Sequence, residues 1–237
     1  MIEWRAPTSH GITVPETDLM ADPKAAEKIR RLSEEFHMEL AYHAPQGPLW
    51  EFGVLSFQTA VSQLRECIRR SSSINAGIMT FHLGVSEDEQ RIESIRRGAG
   101  IIQEVSPYAE DMGIWLCVEN VFEFDRCSVA NVEECKILFE AADSSRLRFT
   151  LDTGHANLYG CLYQLAEFFP EQLAFTHIHD NKGVSDEHRI PGRGTIDWER
   201  LMSCFCRAGY AGPLNFELRE DCTLPELIRT FDGLTRI

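Results

Sequence analysis

Short apolar segments alternate with helix-like segments along the whole chain, and this alternation is the feature that most restricts its fold. The apolar segments are of strand length and nearly unbroken, which is typical of parallel strands that helices cover. The predicted strands span residues 2–6, 39–45, 78–84, 115–121, 147–155, 173–181 and 214–220. The predicted helices span residues 22–36, 54–73, 87–111, 131–143, 158–169, 198–208 and 223–236. We therefore predict an α/β protein built on a parallel sheet.

Local signals at the ends of the helices support these boundaries. Asp22 is placed as the N-cap of the first helix, with Pro23 at its first helical position. Gly113 and Gly209 stand where helices should stop before the next strand. No linker or change of composition divides the chain, so we predict one domain over residues 1–237.

The composition excludes several classes of protein. A hydrophobic content of 43% with 25% charged residues is typical of a globular protein, and no apolar run is long enough to cross a membrane. The formal charge of −14 argues against a nonspecific nucleic-acid or anionic-membrane surface, although it does not exclude a locally basic groove. The first residues show no basic region followed by an apolar core, so we expect no secretory signal, and the eight cysteines are scattered without a CxxC pair. We expect reduced thiols and a cytoplasmic location.

Polar side chains stand at the C-terminal ends of six predicted strands. They are His43, His82, Glu119, Asp152, His177 and Glu217. A closed barrel brings all its strand ends around one axis, whereas an open doubly wound sheet gathers ligands at a single crevice. No GxGxxG or GxxxxGK(S/T) motif follows the first strands. These observations predict a (β/α)8 TIM barrel.

The number of predicted strands is seven, one short of a complete barrel. The missing unit is the first, because the chain begins with strand-like residues and no preceding β/α unit. We therefore expect a barrel that lacks or modifies its first β/α unit. Such a barrel is open at the seam, completed by a neighbouring subunit, or closed by the N-terminal segment.

Four of the eight histidines lie between residues 155 and 188, among several aspartates. Asp152 and His155 are three residues apart, whereas His177 and His179, like Asp186 and His188, are two apart. Carboxylate and imidazole groups at these spacings can point into one cavity, as a divalent metal site requires. The segment therefore predicts a metal centre.

Each of these residues also has a purely structural interpretation. His43 or His82 alone is more often a hydrogen-bonded core or loop residue than a ligand, and the Asp186–His188 pair lies in an exposed loop. In contrast, a carboxylate such as Glu119 is seldom buried at a barrel mouth without a partner. The shared position at strand ends favours a functional interpretation of the whole set.

The motifs "LDTGH", "HIHDN" and "DEHRIPGRGTIDW", with the weaker "HAP" and "FHLG", resemble the xylose-isomerase-like TIM-barrel superfamily. This group, also called AP endonuclease family 2, includes endonuclease IV and the sugar-phosphate isomerases and epimerases. The resemblance runs over nearly the whole chain. In the endonuclease IV pattern nine residues bind three zinc ions, and all nine have counterparts here. They are His43, His82, Glu119, Asp152, His155, His177, Asp186, His188 and Glu217.

The epimerase and isomerase pattern of the same family needs a smaller set for one divalent metal. Its counterparts are Glu119, Asp152, one histidine of "HIHD" and Glu217. The histidine is either His177 or His179, and the H-x-x-D spacing to Asp180 favours His177. The resemblance thus implies one to three ions of zinc, manganese or magnesium.

Two enzyme activities are compatible with this ligand set. The first is a sugar or sugar-phosphate isomerase or epimerase of carbohydrate metabolism, in which Glu119 and Glu217 exchange a proton next to a carbonyl. His179, Lys182 and Arg193 are its candidate substrate contacts, its partner is a small-molecule sugar, and a homo-oligomer is compatible with it.

The second activity is zinc-dependent cleavage of a phosphodiester, for example at abasic DNA sites. The complete ligand set supports it, but the sequence shows no cluster of basic residues and no apolar wedge for a flipped nucleotide. A barrel that binds a metal or small ligand without catalysis is a third class, which the retained glutamate pair argues against. We therefore favour the isomerase or epimerase.

Overall fold

The central element is a parallel sheet of seven strands. The structure is a computed structural model that describes residues 2–5, 23–45, 55–84, 91–122, 127–219 and 222–235. The strands of the sheet are β1 (Ile2–Arg5), β2 (Leu40–His43), β3 (Ile78–Phe81), β5 (Trp115–Glu119), β7 (Leu147–Asp152), β8 (Leu173–Ile178) and β9 (Asn215–Phe216). They lie side by side in chain order, and every neighbouring pair is parallel. The predicted parallel α/β architecture is confirmed.

Helices connect the strands, as the alternating pattern predicts. They are α1 (Pro23–Glu35), α2 (Phe57–Ser73), α3 (Arg91–Asp111), α4 (Val132–Ala142), α5 (Thr153–Tyr159), α6 (Leu162–Phe168), α7 (Trp198–Ala208) and α8 (Leu224–Thr235). Pro23 begins α1 as expected, whereas the predicted cap Asp22 lies outside the described residues. The helices of the described ranges are too short or too polar to cross a membrane.

The sequential strand order is that of a (β/α) barrel, in which each helix returns the chain to the same end of the sheet. Within the described residues, no pairing joins β9 to β1. The described sheet is therefore a partial barrel of seven parallel strands.

The strands are generally shorter than the sequence indicates, and two of the differences have a clear local cause. The predicted strand 78–84 is divided at His82, because β4 (Leu83–Gly84) pairs antiparallel with β6 (Cys127–Ser128) instead of continuing the central sheet. The predicted strand 147–155 ends at Asp152, whose side chain caps α5 by accepting a hydrogen bond from the His155 amide at 2.7 Å.

The predicted helix 158–169 is also wrong in its bounds. α5 has already begun at Thr153 and ends at Gly160, which adopts the left-handed conformation with φ 75°. A separate helix, α6, then covers most of the predicted range. A left-handed glycine is the usual way in which a helix is terminated, so the break follows from Gly160.

The core lies between the sheet and its helices. Phe149 and Phe175 of the sheet are fully buried, as are Leu64 of α2, Ile102 of α3 and Leu138 of α4. Strands that are buried on both faces need apolar residues at nearly every position, which explains their unbroken apolar pattern. The polar residues of these strands are therefore concentrated where the strands end.

Candidate functional site

The functional candidates lie at one end of the sheet because parallel strands share a direction. His43 is the last residue of β2, Glu119 of β5 and Asp152 of β7. Asp152 is in register with His177 of β8. Glu217 directly follows β9, and its amide donates to the Ile178 carbonyl at 3.2 Å. The sheet thus brings together residues that are far apart in the chain.

His177 lies at the centre of the cluster, between three carboxylates. Its Nδ1 is 3.0 Å from Glu217 Oε2, 3.2 Å from Glu119 Oε1 and 3.7 Å from Asp152 Oδ2. One ligand atom from each of the four residues lies within 4.8 Å of the others. We call these four residues, Glu119, Asp152, His177 and Glu217, the strand group.

Two more histidines flank Glu119 on its other side. The Nε2 atoms of His43 and His82 lie 3.0 Å and 3.1 Å from Glu119 Oε2. His43 is buried, whereas the side chain of His82 is 15% exposed. His43, which ends β2, and His82, which follows β3, therefore both reach the cluster, as the strand-end pattern predicts.

A second group forms around Asp186, which lies on the loop between β8 and α7. His188 Nε2 lies 2.8 Å from Asp186 Oδ2, and His155 Nε2 lies 3.8 Å from the same oxygen. Ligand atoms of the three residues lie within 4.8 Å of one another. We call His155, Asp186 and His188 the loop group.

Three histidines in the cluster have the same hydrogen-bonding arrangement at Nδ1. This atom lies next to a backbone carbonyl, at 2.7 Å from Ala44 O for His43, 3.1 Å from Asn120 O for His155 and 2.9 Å from Glu217 O for His188. A carbonyl can only accept, so Nδ1 carries the proton in each ring.

The second nitrogen of each of these rings, Nε2, points at a carboxylate oxygen: Glu119 for His43, and Asp186 for His155 and His188. In a neutral ring, Nε2 is an acceptor, and a lone pair then faces a carboxylate. Either a second proton or a cation must lie between them. Nδ1–H bonded to a carbonyl with Nε2 directed at acidic oxygens is the usual arrangement of metal-binding histidines.

The buried carboxylates of the cluster remain ionised. Burial by itself raises the pKa of Glu119, but His177 and His82 hold it well below its usual range. Burial also opposes the ionisation of Asp152, and His155 is foremost among the neighbours that hold its pKa well below the usual range. The charged form of His155 is disfavoured by burial, yet Asp152 raises the pKa of this imidazole to about 9. The cluster therefore favours added positive charge.

His179 also belongs to this cluster, although sequence reasoning assigned it to the substrate. It is fully buried, and its Nε2 lies 2.9 Å from Asp152 Oδ2. Its ring stacks on His188 with centroids 3.9 Å apart, and its buried Nδ1 has no hydrogen-bond partner within the described residues. Both histidines of "HIHD" thus reach Asp152, and the distances to the two glutamates favour His177 as the ligand.

Lys182 and Arg193 lie on the loop after β8, at the surface of the protein. The Lys182 side chain is exposed, and Arg193 forms an ion pair with Glu226 of α8. Their roles as substrate contacts stay predictions.

Asn120 and Arg219 contact the candidate ligands but were not selected from the sequence. Asn120 donates to the Asp152 carbonyl at 3.0 Å and accepts from the Asp152 amide at 2.8 Å, so it fixes the backbone of that residue. Arg219 Nη1 lies 3.3 Å from Asp186 Oδ2. The signal for Asn120 is its place beside Glu119 at a strand end, whereas no sequence pattern marks Arg219.

The sequence profile of one family, described as xylose isomerase-like TIM barrel, matches residues 5–232. The chain belongs to this family. Its TIM-barrel class, predicted from the strand ends, is thereby confirmed.

Two individual proteins illustrate what this chain is similar to. The uncharacterized protein MJ1311 of Methanocaldococcus jannaschii is 24% identical over 220 residues, which cover 88% of this chain and 75% of that protein. Fructoselysine 3-epimerase of Shigella flexneri is 24% identical over 203 residues, covering 81% of this chain and 72% of that protein.

A solved structure described as a D-tagatose 3-epimerase-like protein superposes on this chain with a TM-score of 0.82. The match has 23% identity and covers 99% of this chain and 87% of that one. At this level of identity, the superposition establishes the fold.

Proposed function

We propose that the protein is a divalent-metal-dependent sugar or sugar-phosphate isomerase or epimerase that transfers a proton next to a carbonyl group. The observation that carries this proposal is the strand group, in which carboxylate oxygens of Glu119 and Glu217 both lie within 3.2 Å of His177 Nδ1. The fructoselysine 3-epimerase among the relatives supports the same class of reaction on a small-molecule sugar.

The residues of the cluster fit a divalent cation. Glu119, Asp152, His177 and Glu217 would hold it, with three carboxylates and one imidazole as donors. Such a set suits manganese, magnesium or zinc rather than a soft metal, because no thiolate or thioether takes part. A bound cation would hold adjacent oxygens of a keto sugar and increase the acidity of the carbon between them.

The two glutamates would perform the proton transfer. Glu119 is 1% exposed and ionised, so it can accept a proton from a bound sugar. Glu217 has a side chain that is 14% exposed and contacts the same nitrogen, His177 Nδ1, as Glu119 does. A base and an acid on either side of one carbon are what epimerisation needs, because the proton is removed from one face and returned to the other.

The test is solvent deuterium exchange into a panel of ketoses and ketose phosphates, read by NMR in the metal-loaded protein. We expect deuterium at one carbon next to the carbonyl, and loss of this exchange in Glu119→Gln and Glu217→Gln. Absence of exchange into every sugar of the panel would refute the proposal. The phosphorylated sugars also report on Lys182 and Arg193, since substitution of a true phosphate contact affects those substrates selectively.

A second candidate is a zinc-dependent phosphodiesterase, and the loop group is the observation that favours it. His155, Asp186 and His188 form a further cluster of closely spaced ligand atoms, so the site offers donors for more than one ion. Zinc analysis giving about three ions per chain, together with nicking of duplex DNA at an abasic site, would favour this activity. Nicking by a protein that also lacks ketose exchange would decide in its favour.

A further inference from the structure

Asp180 is a buried aspartate that lies next to the candidate ligands without belonging to them. It follows β8 by two residues and is fully buried. Its Oδ1 accepts from the amides of Asn181 at 2.9 Å and Ile196 at 3.3 Å. Its Oδ2 accepts from the Gly192 amide and from Trp198 Nε1, both at 2.9 Å. One carboxylate therefore accepts from four donors, two of them in the far part of the loop and one at the first residue of α7.

The backbone of Asp180 fixes the same loop at another point. Its amide donates to the Arg189 carbonyl, and the Arg189 amide donates to the Asp180 carbonyl, both at 2.8 Å. This bridge holds the residue that follows His188. The φ of His188 is 49°, a left-handed conformation that a residue with a side chain adopts only at a cost. The pair of hydrogen bonds thus fixes the backbone next to a strained residue of the loop group.

The loop packs closely on Asp180 as well. A Cβ at Gly194 would lie 2.1 Å from Asp180 Oδ1 and 2.2 Å from the Asn181 carbonyl. Asp186 and His188 therefore lie on a segment that is attached on its far side to the Asp180 carboxylate and in its middle to the Asp180 backbone. Loops position functional groups accurately only when such supporting contacts hold them.

We propose that Asp180 is a positioning residue that places Asp186 and His188 against His155, so that the loop group binds a cation only when Asp180 is intact. This inference rests on the proposed metal-dependent function. Asp180 makes no comparable contact with the side chains of the strand group in the described residues, so binding there should not depend on it. The two groups are thus separable by a single substitution.

A carboxylate is required because all four of its partners are donors. Asparagine has the same shape, but its NH2 group would face an N–H donor at two of the four contacts. Two buried donors would then lack a partner, which costs about 1–3 kcal/mol each. Asp180→Asn should therefore loosen the loop without removing side-chain volume.

The experiment is a Co²⁺ titration of the metal-free protein, followed by visible absorbance and calorimetry, with Asp180→Asn as the variant. We expect the parent to bind a first ion at the strand group and a second that is lost in His155→Ala. In Asp180→Asn, the second ion should bind at least about tenfold more weakly, in line with the loss of a residue that supports ligands. The first ion should bind as in the parent.

The matched control is Asp197→Asn, on the same loop. This aspartate is exposed and caps α7 by accepting from the Arg200 amide at 3.0 Å. Asparagine caps helices as well as aspartate does, so this variant removes the same charge and should bind both ions like the parent. Equal weakening in both variants would indicate a general charge effect and would overturn the assignment.

Hydrogen exchange of the metal-free proteins provides a readout that needs no ion. Asp180→Asn should lose amide protection at Gly192 or at Ile196, whichever of the two faces the NH2 group, while the amides of β5 and β7 keep theirs. If Asp180→Asn does not fold, Trp198→Phe removes one of the four donors, and the second ion should then bind more weakly than in the parent by the same support argument.

Unchanged binding of the second ion in the folded variants, or a parent whose Co²⁺ binding does not depend on His155, would refute the inference. Neither measurement uses a sugar. A protein without ketose exchange can therefore still show the dependence on Asp180, and the two proposals fail separately.

Discussion

The strand group and the loop group use the same kinds of side chain, but they are held in different ways. Glu119, Asp152 and His177 belong to strands whose parallel ladder fixes the backbone, and all three are buried. Asp186 has a side chain that is 28% exposed, and His188 is in a left-handed conformation on a loop. The comparison indicates that the sheet determines the first group, whereas side-chain contacts to Asp180 determine the second.

The largest difference between the groups is expected in catalysis. Glu119→Gln removes a proton acceptor and should lower kcat by about 100- to 10,000-fold, the usual contribution of general acid–base catalysis. Asp186→Asn, in the loop group, should lower kcat/KM by only about 10- to 100-fold through weaker ion binding. Steady-state kinetics on the sugar identified by deuterium exchange measures both. An equal loss in the two variants would remove the distinction between the groups.

Asn120 provides a test of the strand group that leaves every candidate ligand in place. Asn120→Ala deletes both hydrogen bonds to the Asp152 backbone, and the buried amide that is left unsatisfied should destabilise the protein by about 1–3 kcal/mol. The first Co²⁺ should bind about 10- to 100-fold more weakly. Denaturant unfolding and metal titration check these values. If Asn120→Ala weakened the binding of the second Co²⁺ ion alone, the assignment of Asn120 to the strand group would be contradicted.

Gly154 lies where the two groups touch, and a side chain there has no room. A Cβ at this position would lie 2.0 Å from Cε1 of His179, the residue that joins Asp152 to His188. Gly154→Ala should cost about 1–3 kcal/mol by overpacking and weaken both ions. Gly77→Ala is the control, because a Cβ there meets nothing within 4 Å. Equal stability of the two variants, measured by denaturant unfolding, would show that the His179 ring can move freely.

His155 touches both groups and should give the metal-free protein a modest pH dependence. Its pKa is raised from 6.5 to about 9, so protonated His155 stabilises the folded protein. This contribution is complete below pH 6.5 and is lost as the pH rises through 9. Thermal unfolding of the metal-free protein should therefore give a melting temperature that decreases as the pH rises from 6.5 to 9. The decrease should be smaller in His155→Gln. A melting temperature that rises over this range in the metal-free protein would contradict the direction.

The sequence predicts the strand group well because the signal that marks each of its residues is local in the chain. An apolar strand followed by a polar residue marks a strand end, and parallel strands bring such ends together without further detail. The six residues selected at strand ends lie in one cluster in the structure, together with His155, Asp186 and His188, which the resemblance to the family added. Their binding of metal stays a prediction.

The missed features depend on contacts between distant segments. The division of the predicted strand 78–84 requires β6, and the shortened strand at Asp152 requires a capping bond that competes with strand extension. The role of Asp180 was not visible because its partners Gly192 and Trp198 come from the far side of the loop. A local pattern cannot report a partner that only the folded loop brings close.

Asp152 uses one oxygen to start α5 and the other to contact His179. A descendant of this protein that had abandoned catalysis would still need an acceptor at this position for the helix to begin. Retention of the aspartate in a relative is therefore no sign of a working enzyme, and its replacement would damage the architecture along with any chemistry.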